Sequence, residues 1–255
     1  GSQVRYGDTD SIMIEFAIPD GEDPLEASWR MGEQAAKECT ALFKHPNDLE
    51  LEKVYYPFIL YSKKRYAAKQ YSKGRDGKIK LDKVDIKGLQ MVRRDNSRFT
   101  RDVCKEVLDL ILDANDPKPA IELAKARAKE LRDGDVPMDN LILSRKLAGS
   151  YKNSSLPHVT VVNKMKKRAP GSEPKSGDRV PFVIIKTQDS RAKMYEKAED
   201  PEFVRENPKV KVDHEYYFTN QFQTPISDLL EPLVKDTSQL FGRGGTQLSI
   251  TKFFH

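Results

Sequence analysis

The sequence predicts an α+β fold: antiparallel hairpins with one helix, then a mainly helical part with a small sheet, then a flexible C-terminal tail. Three observations lead there. Short aliphatic and aromatic runs punctuated by turn residues fill most of residues 3–87. After Ser97 the apolar residues recur at helical spacing. The chain has 255 residues with 38% hydrophobic and 33% charged side chains, long enough for a real core and too apolar for the disordered class.

The elements follow in order. Gln3–Tyr6 and Ser11–Ala17 read as strands joined through Gly7-Asp8-Thr9-Asp10, which is hairpin chemistry. Asp23-Pro24 opens a helix, with Asp23 as N-cap and Pro24 at the first position, running to Lys44 before Pro46. Leu49–Leu60 and Tyr61–Tyr71 read as strands, the second turning at Lys63-Lys64, and Ile79–Lys87 as a third after the turn Gly74–Gly77. Ser97 caps a helix over Arg98–Leu112. Asp116-Pro117 breaks it, and a second helix runs from Pro119 to Asp133 and stops at Gly134. Leu141–Leu147 and Pro181–Thr187 read as strands, Pro157–Lys167 and Pro201–Glu206 as helices, and Asp213–Val234 as mostly helical despite Pro225 and Pro232. Gly242-Arg243-Gly244-Gly245 reads as a flexible linker. Cys39, Cys104 and Trp29 fall on apolar helix faces and are expected in the core.

The net charge of +5 is mild, but its distribution is not. Residues 1–60 carry 12 acidic and 5 basic side chains, residues 61–101 carry 4 and 14, and residues 145–211 carry 8 and 16. An acidic segment followed by two basic ones suggests a divalent-metal site beside a polyanion track. The chain shows neither an apolar signal segment nor a run approaching the ~18–20 residues of a membrane span. Its two distant cysteines make no zinc knuckle and no disulfide framework, which favours a reducing, intracellular compartment. His45, His158, His214 and His255 show no ligand spacing, and His158 beside Pro157 reads as a packing or capping residue. No Ser/His/Asp constellation and no phosphate-binding glycine loop is present.

The sharpest local signal is Tyr6-Gly7-Asp8-Thr9-Asp10-Ser11. Two carboxylates at i and i+2 in a tight hairpin repel one another, and a divalent cation removes the conflict. Oxygen-only ligands favour Mg²⁺, which keeps waters and takes substrate phosphates into its shell. A plain surface turn is the alternative. A second signal is Lys63-Lys64-Arg65-Tyr66 after an aromatic strand. Its cations neutralise phosphates without regard to sequence, and Arg65 or Tyr66 is placed to reach a minor groove. Arg93-Arg94 and the group Lys164, Lys166, Lys167 and Arg168 extend the basic track.

These blocks carry a resemblance. Tyr-Gly-Asp-Thr-Asp-Ser between two strands resembles the metal-binding hairpin in the palm of family B DNA polymerases. Lys53–Tyr66 with Ala67 resembles that family's segment along the primer–template duplex, and Lys87–Asn96 resembles the palm-to-thumb junction of its delta-type members. Leu156–Val159, Gly177–Ile184, Tyr216-Tyr217 with Asn220-Gln221, Pro225 and Glu231-Pro232 resemble its thumb. The blocks occur in the family's order and cover nearly the whole chain.

The resemblance implies the end of the palm over residues 1–100, a thumb over 101–240 and a tail over 241–255. It implies Asp10 as the principal metal ligand and Asp8 as an accessory one, in a two-metal Mg²⁺ site shared with an N-terminal portion carrying the other aspartate, the fingers and the exonuclease. Neither zinc nor an iron–sulfur cluster is expected in this chain. The duplex-binding residues implied are Lys63, Lys64, Arg65, Tyr66, Arg93, Arg94, Lys164, Lys166, Lys167 and Arg168. At the C-terminus, Gln247, Ile250, Phe253 and Phe254 have the spacing of the peptide by which replication proteins dock on a sliding clamp. The implied partners are primer–template DNA, a deoxynucleoside triphosphate, the N-terminal portion and the clamp, with no membrane. The implied location is the nucleus or a viral replication site. The competing expectations are a non-catalytic DNA-binding and clamp-tethering subunit and, more weakly, a structure-specific nuclease.

Overall fold

A computed structural model describes residues 1–89, 96–113, 116–152, 154–189, 191–234 and 240–241. The chain divides after Leu89 into two compact units. Arg93, Arg94, the linker 242–245 and the tail residues Gln247, Ile250, Phe253 and Phe254 lie outside the described residues.

The first unit begins with the hairpin β1 (Gln3–Asp8) and β2 (Ser11–Glu15), closed by the pair Asp8–Ser11 and strapped near its open end by the ion pair of Arg5 with Glu15. Helix α1 (Pro24–Thr40) follows. The Asp23 carboxylate accepts from the N–H groups of Leu25 and Glu26, satisfying two of the donors that a helix start leaves open. The helix stops four residues before the expected Lys44. Thr40 Oγ1 accepts from the Leu49 N–H at 2.8 Å and donates to the Leu49 carbonyl, drawing the chain back across the helix end. Trp29 is buried as expected and its indole N–H donates to Glu33. Cys39, in that last turn, is only half-buried rather than core.

A three-stranded antiparallel sheet completes the unit, ordered β3 (Val54–Ser62), β4 (Arg65–Lys73), β5 (Ile79–Lys87). Strand β3 begins at Val54, not Leu49, because Val54 pairs with Tyr71 close to the far end of β4. Leu51 instead packs on α1 at Gly32, where a Cβ would come within 2.9 Å of it. The buried centre of β4 is Tyr66, Ala67 and Ala68, and two small residues let neighbouring elements approach closely.

The second unit is mainly helical. Ser97 caps α2 (Arg98–Asp113), its hydroxyl accepting from the Thr100 N–H. Phe99, Val103, Cys104, Val107, Leu108, Ile111 and Leu112 form its buried stripe. The stripe packs on α3 (Lys118–Asp133), whose buried face is Ala120, Ile121, Ala124, Ala128 and Leu131. Each large side chain so buried contributes roughly 1.5–3 kcal/mol. Gly134 ends α3 in the left-handed region, φ 87°, with its N–H returning to Glu130 and Leu131. Burial pushes the Cys104 thiol up to about 12, so this cysteine is an inert core residue.

A small antiparallel sheet, β6 (Leu143–Lys146), β7 (Arg179–Ile184) and β8 (Ala198–Glu199), packs against α4 (Pro157–Arg168). Short helix α5 (Pro201–Glu206) precedes a long helical run: α6 (His214–Tyr217), a π turn over Phe218–Phe222, then α7 (Gln223–Leu230). The wide π turn sits just ahead of Pro225, whose ring would meet a carbonyl one turn back in a regular helix. The run docks through Phe218, Phe222, Ile226, Leu229 and Leu230, all buried, with Phe99 stacked on Phe222. The mixed α+β architecture is therefore as the sequence predicts. Among the described residues no helix is long and apolar enough to cross a membrane.

His158 in α4 is 4% exposed. Its Nε2 pairs with the Tyr151 hydroxyl at 2.9 Å, and its Nδ1 is buried without a partner. Burial, then the nearby Arg145, hold its pKa below the ordinary 6.5. The fold thus keeps the neutral ring, while the unfolded chain takes up the proton more readily. The stability this contributes is present above pH ~6.5 and is lost as pH falls toward the folded-state value. The thermal midpoint is expected to drop between pH 7 and pH 5, and His158→Gln should flatten that slope. Parallel slopes for the two proteins in circular-dichroism melts would remove His158 as the cause.

Candidate functional site

The first unit brings two hairpin tips together. Asp8 is the last residue of β1, and Thr9-Asp10 is the two-residue turn beyond it. Asp10 is exposed at the tip, while Asp8 is half-buried. The second tip is Lys63-Lys64, joining β3 to β4. The Lys64 N–H donates to the Tyr6 hydroxyl at 3.0 Å, and that hydroxyl donates onward to Asp8 Oδ2 at 3.5 Å. Lys64 Nζ lies 3.4 Å from Asp8 Oδ1, and the Thr9 hydroxyl donates to the same oxygen. The Ser11 hydroxyl donates to the Asp8 carbonyl and closes the turn.

Both tips hold an unusual backbone. Thr9 has φ 60° and Lys64 φ 62°, the two non-glycine residues with positive φ among those described. Each such residue costs about 1–2 kcal/mol, and side chains held this way cluster where function constrains them. Behind the second tip stands Gly88 at the end of β5, φ 66°. A Cβ there would come within 2.3 Å of the Lys64 carbonyl and 2.9 Å of the Arg65 side chain. Any other residue would push the basic turn away.

The donor chemistry suits a hard cation only in part. Asp8 and Asp10 offer oxygen ligands of the type Mg²⁺ takes. Among the described residues no group of three or more His, Cys, Asp or Glu side chains is arranged to hold a metal ion. Asp8 and Asp10 are two carboxylates of the oxygen-donor type, too few on their own to make such a group.

The predicted nucleic-acid residues divide. Lys63 and Lys64 are exposed and Arg65 is half-buried, while Tyr66 lies beneath them at 8% exposure. In the second unit, Lys166 and Lys167 are exposed. Lys164 is turned inward: its ammonium donates to the carbonyls of Ala198 and Glu196 at 2.7 and 2.9 Å and lies 3.3 Å from Glu199. Arg168 pairs with the same buried Glu199 at 2.8 Å and stacks on the Phe203 ring at 3.6 Å. Half of this basic group therefore neutralises a carboxylate of its own unit.

Sequence reading gives no role to Tyr6 or Gly88, though both stand inside the motifs named above, and passes over Asp85, which is buried in β5. A hydroxyl bridging two tips, a glycine backing a turn and a buried carboxylate all depend on strand register. Only the positive φ at Gly88 was open to suspicion from sequence, through the glycine following Lys87.

Comparison with known proteins places the chain in a family. The chain matches the family described as DNA polymerase family B over residues 1–233. It is 43% identical over 245 residues to a DNA polymerase of Paramecium bursaria Chlorella virus NY2A, covering 95% of this chain and 26% of that protein. It is 38% identical over 236 residues to the DNA polymerase delta catalytic subunit of Candida albicans, covering 92% of this chain and 22% of that protein. The structure of the family B DNA polymerase from the hyperthermophilic archaeon Pyrobaculum calidifontis superposes with a TM-score of 0.64 at 26% identity, over 91% of this chain and 27% of that one. The chain thus spans about a quarter of the length of these relatives. With a matched region that takes in both hairpin tips and most of the helical unit, this chain belongs to DNA polymerase family B.

Proposed function

We propose that the chain is the C-terminal part of a delta-type family B DNA polymerase and takes part in template-directed DNA synthesis. The observation that carries this is the bond from Lys64 to Tyr6, which fixes a two-carboxylate hairpin against a three-cation turn. A metal-ligand pair beside a phosphate-binding turn is what a nucleotidyl transfer site at a primer end requires. Residues 1–100 act as palm, 101–240 as thumb and 241–255 as tail.

Asp10 and Asp8 hold Mg²⁺ together with donors from an N-terminal portion. When bound, a metal pair supplies stabilisation of the attacking and leaving oxygens of an in-line displacement. The chain's own residues do the rest. Tyr6 and Thr9 orient the Asp8 carboxylate. Lys63, Lys64 and Arg65 meet duplex phosphates, with Tyr66 supporting them from the sheet. Arg93, Arg94, Lys166 and Lys167 extend the grip along the duplex. Lys164 and Arg168 shape the end of α4 and reach DNA only by leaving Glu199. Val4 and Ile12, 66% and 52% exposed on the first hairpin, suit a surface covered by the preceding polymerase portion, since a lone hairpin is marginally stable in water. Gln247, Ile250, Phe253 and Phe254 tether the enzyme to a sliding clamp. The site of action is the nucleus or a viral replication site.

The test is DNA binding by the isolated chain. It should bind primer–template duplex without extending the primer. Lys63→Ala with Lys64→Ala should weaken binding equally on all sequences. The log–log salt dependence should flatten by ~0.9 for each lost phosphate contact, about 1.8 for the pair. An unchanged salt slope in filter binding or fluorescence anisotropy would take the turn off the duplex.

A further inference from the structure

Asp85 takes no part in the metal hairpin, yet it is the charged side chain buried in the first unit's sheet, 7% exposed between Val84 and Ile86 in β5. Burying a carboxylate is costly unless hydrogen bonds and charge compensate it. Here the Tyr55 hydroxyl donates to Asp85 Oδ2 at 2.6 Å and the Tyr66 hydroxyl to the same oxygen at 3.4 Å. Lys87 Nζ lies 3.9 Å from Oδ1. The two tyrosine rings and Phe58 pack in one cluster with centroids 5.5–5.9 Å apart. Burial and the bond to Asp85 push the Tyr55 hydroxyl far above the ordinary tyrosine value, so it stays a donor across the working pH range.

The position of this clamp matters more than its strength. Tyr66 directly follows Lys63-Lys64-Arg65, and it pairs with Lys87 across the β4–β5 ladder. Ala68 pairs with Asp85, so Asp85 and Tyr66 share one face of the sheet. Gly88, three residues beyond Asp85, backs directly onto the Lys64 carbonyl. Strand β5 therefore grips the strand leaving the basic turn and seats the turn itself. The turn needs such support because Lys64 sits in the left-handed region.

We propose that Asp85 is a positioning residue: its tyrosine-clamped carboxylate holds the β3–β4 turn in the conformation in which Lys63, Lys64 and Arg65 meet duplex phosphates. The role rests on the reading that this turn binds DNA. A turn ordered in advance does not have to be ordered on binding, so the contacts it makes are stronger.

The experiment compares Asp85→Asn, Tyr55→Phe and the Lys63→Ala/Lys64→Ala pair in the full chain. It reads primer–template affinity against salt, backbone hydrogen exchange at residues 63–66 without DNA, and the thermal midpoint. Asp85→Asn should bind duplex about threefold to tenfold more weakly, with the salt slope unchanged because the same cations still reach phosphate. Exchange at residues 63–66 should quicken. Tyr55→Phe keeps the ring and removes one donor, so it should move both readouts in the same direction by less. It decides the matter if Asp85→Asn does not fold. A lower thermal midpoint with wild-type affinity and exchange would make Asp85 a merely structural residue and overturn the proposal. If the lysine pair weakens binding while Asp85→Asn and Tyr55→Phe do not, the turn binds DNA and the positioning role fails. If the lysine pair has no effect, the turn is not on the duplex and both readings fall.

Discussion

Asp10→Asn is expected to abolish DNA synthesis by the complete polymerase while leaving duplex binding nearly intact. The two effects separate because they lie on different parts of the first unit. Asp10 is exposed at the tip of the β1–β2 turn. The cations proposed to meet phosphate stand on the β3–β4 turn, held through contacts at the Lys64 backbone that do not pass through Asp10. Charge stabilisation at a two-metal site is worth several kcal/mol, and each ~1.4 kcal/mol is tenfold in rate, so a loss on the order of a thousandfold follows. Asp8→Asn should cost less, because Lys64, Tyr6 and Thr9 already engage the Asp8 carboxylate. The measurement is single-turnover primer extension by the full assembly at millimolar Mg²⁺, with duplex affinity read in parallel. Near-normal extension by the Asp10→Asn enzyme would leave this chain a DNA-gripping and clamp-tethering part without a catalytic carboxylate.

How much of this was legible beforehand follows from which forces fix each feature. Helix starts were readable because caps are local: Asp23 and Ser97 each satisfy backbone donors within three residues of themselves. The stop of α3 at Gly134 was readable for the same reason. The end of α1 was not, since Thr40 binds Leu49 across a loop. The π turn ahead of Pro225 gave no sequence signal beyond the proline itself. The start of β3 lies five residues beyond the expected Leu49 because a strand ends where its partner ends, and a run of Glu-Leu-Glu-Lys does not show where β4 stops.

The candidate site divides along the same line. The two carboxylates and the basic turn were visible as contiguous motifs. Their mutual approach was not, because the Tyr6 hydroxyl reaches Lys64 from 58 residues away in sequence. The basic end of α4 reads from sequence as a helix-end cluster of cations of which about half meet DNA. Strand β8 then delivers a buried carboxylate, Glu199, beneath it, and Lys164 and Arg168 turn in to meet that charge. A burial-driven pairing of this kind takes priority over exposure, since leaving Glu199 alone in the interior is far costlier than losing two surface cations. Lys166 and Lys167 remain for solvent or a polyanion.

Phe253→Ala combined with Phe254→Ala is expected to remove binding to a sliding clamp, and with it clamp-dependent processivity, while basal synthesis is unchanged. Ile250, Phe253 and Phe254 have the spacing of a single helical turn that presents an apolar plug, with Gln247 as its polar flank. Burying each Phe contributes about 1.5–3 kcal/mol, so losing both removes much of a modest affinity. Ordering the tail opposes binding, and a peptide covering Thr246–His255 should bind on the order of micromolar, about −8 kcal/mol. Attachment to a polymerase already on DNA raises the effective concentration, so that affinity suffices for tethering. Calorimetry of this peptide against the cognate clamp reads the first quantity, and primer-extension length with and without clamp reads the second. No heat, together with unchanged extension by the double variant, would mean that the tail does not dock on the clamp and that any tether lies elsewhere.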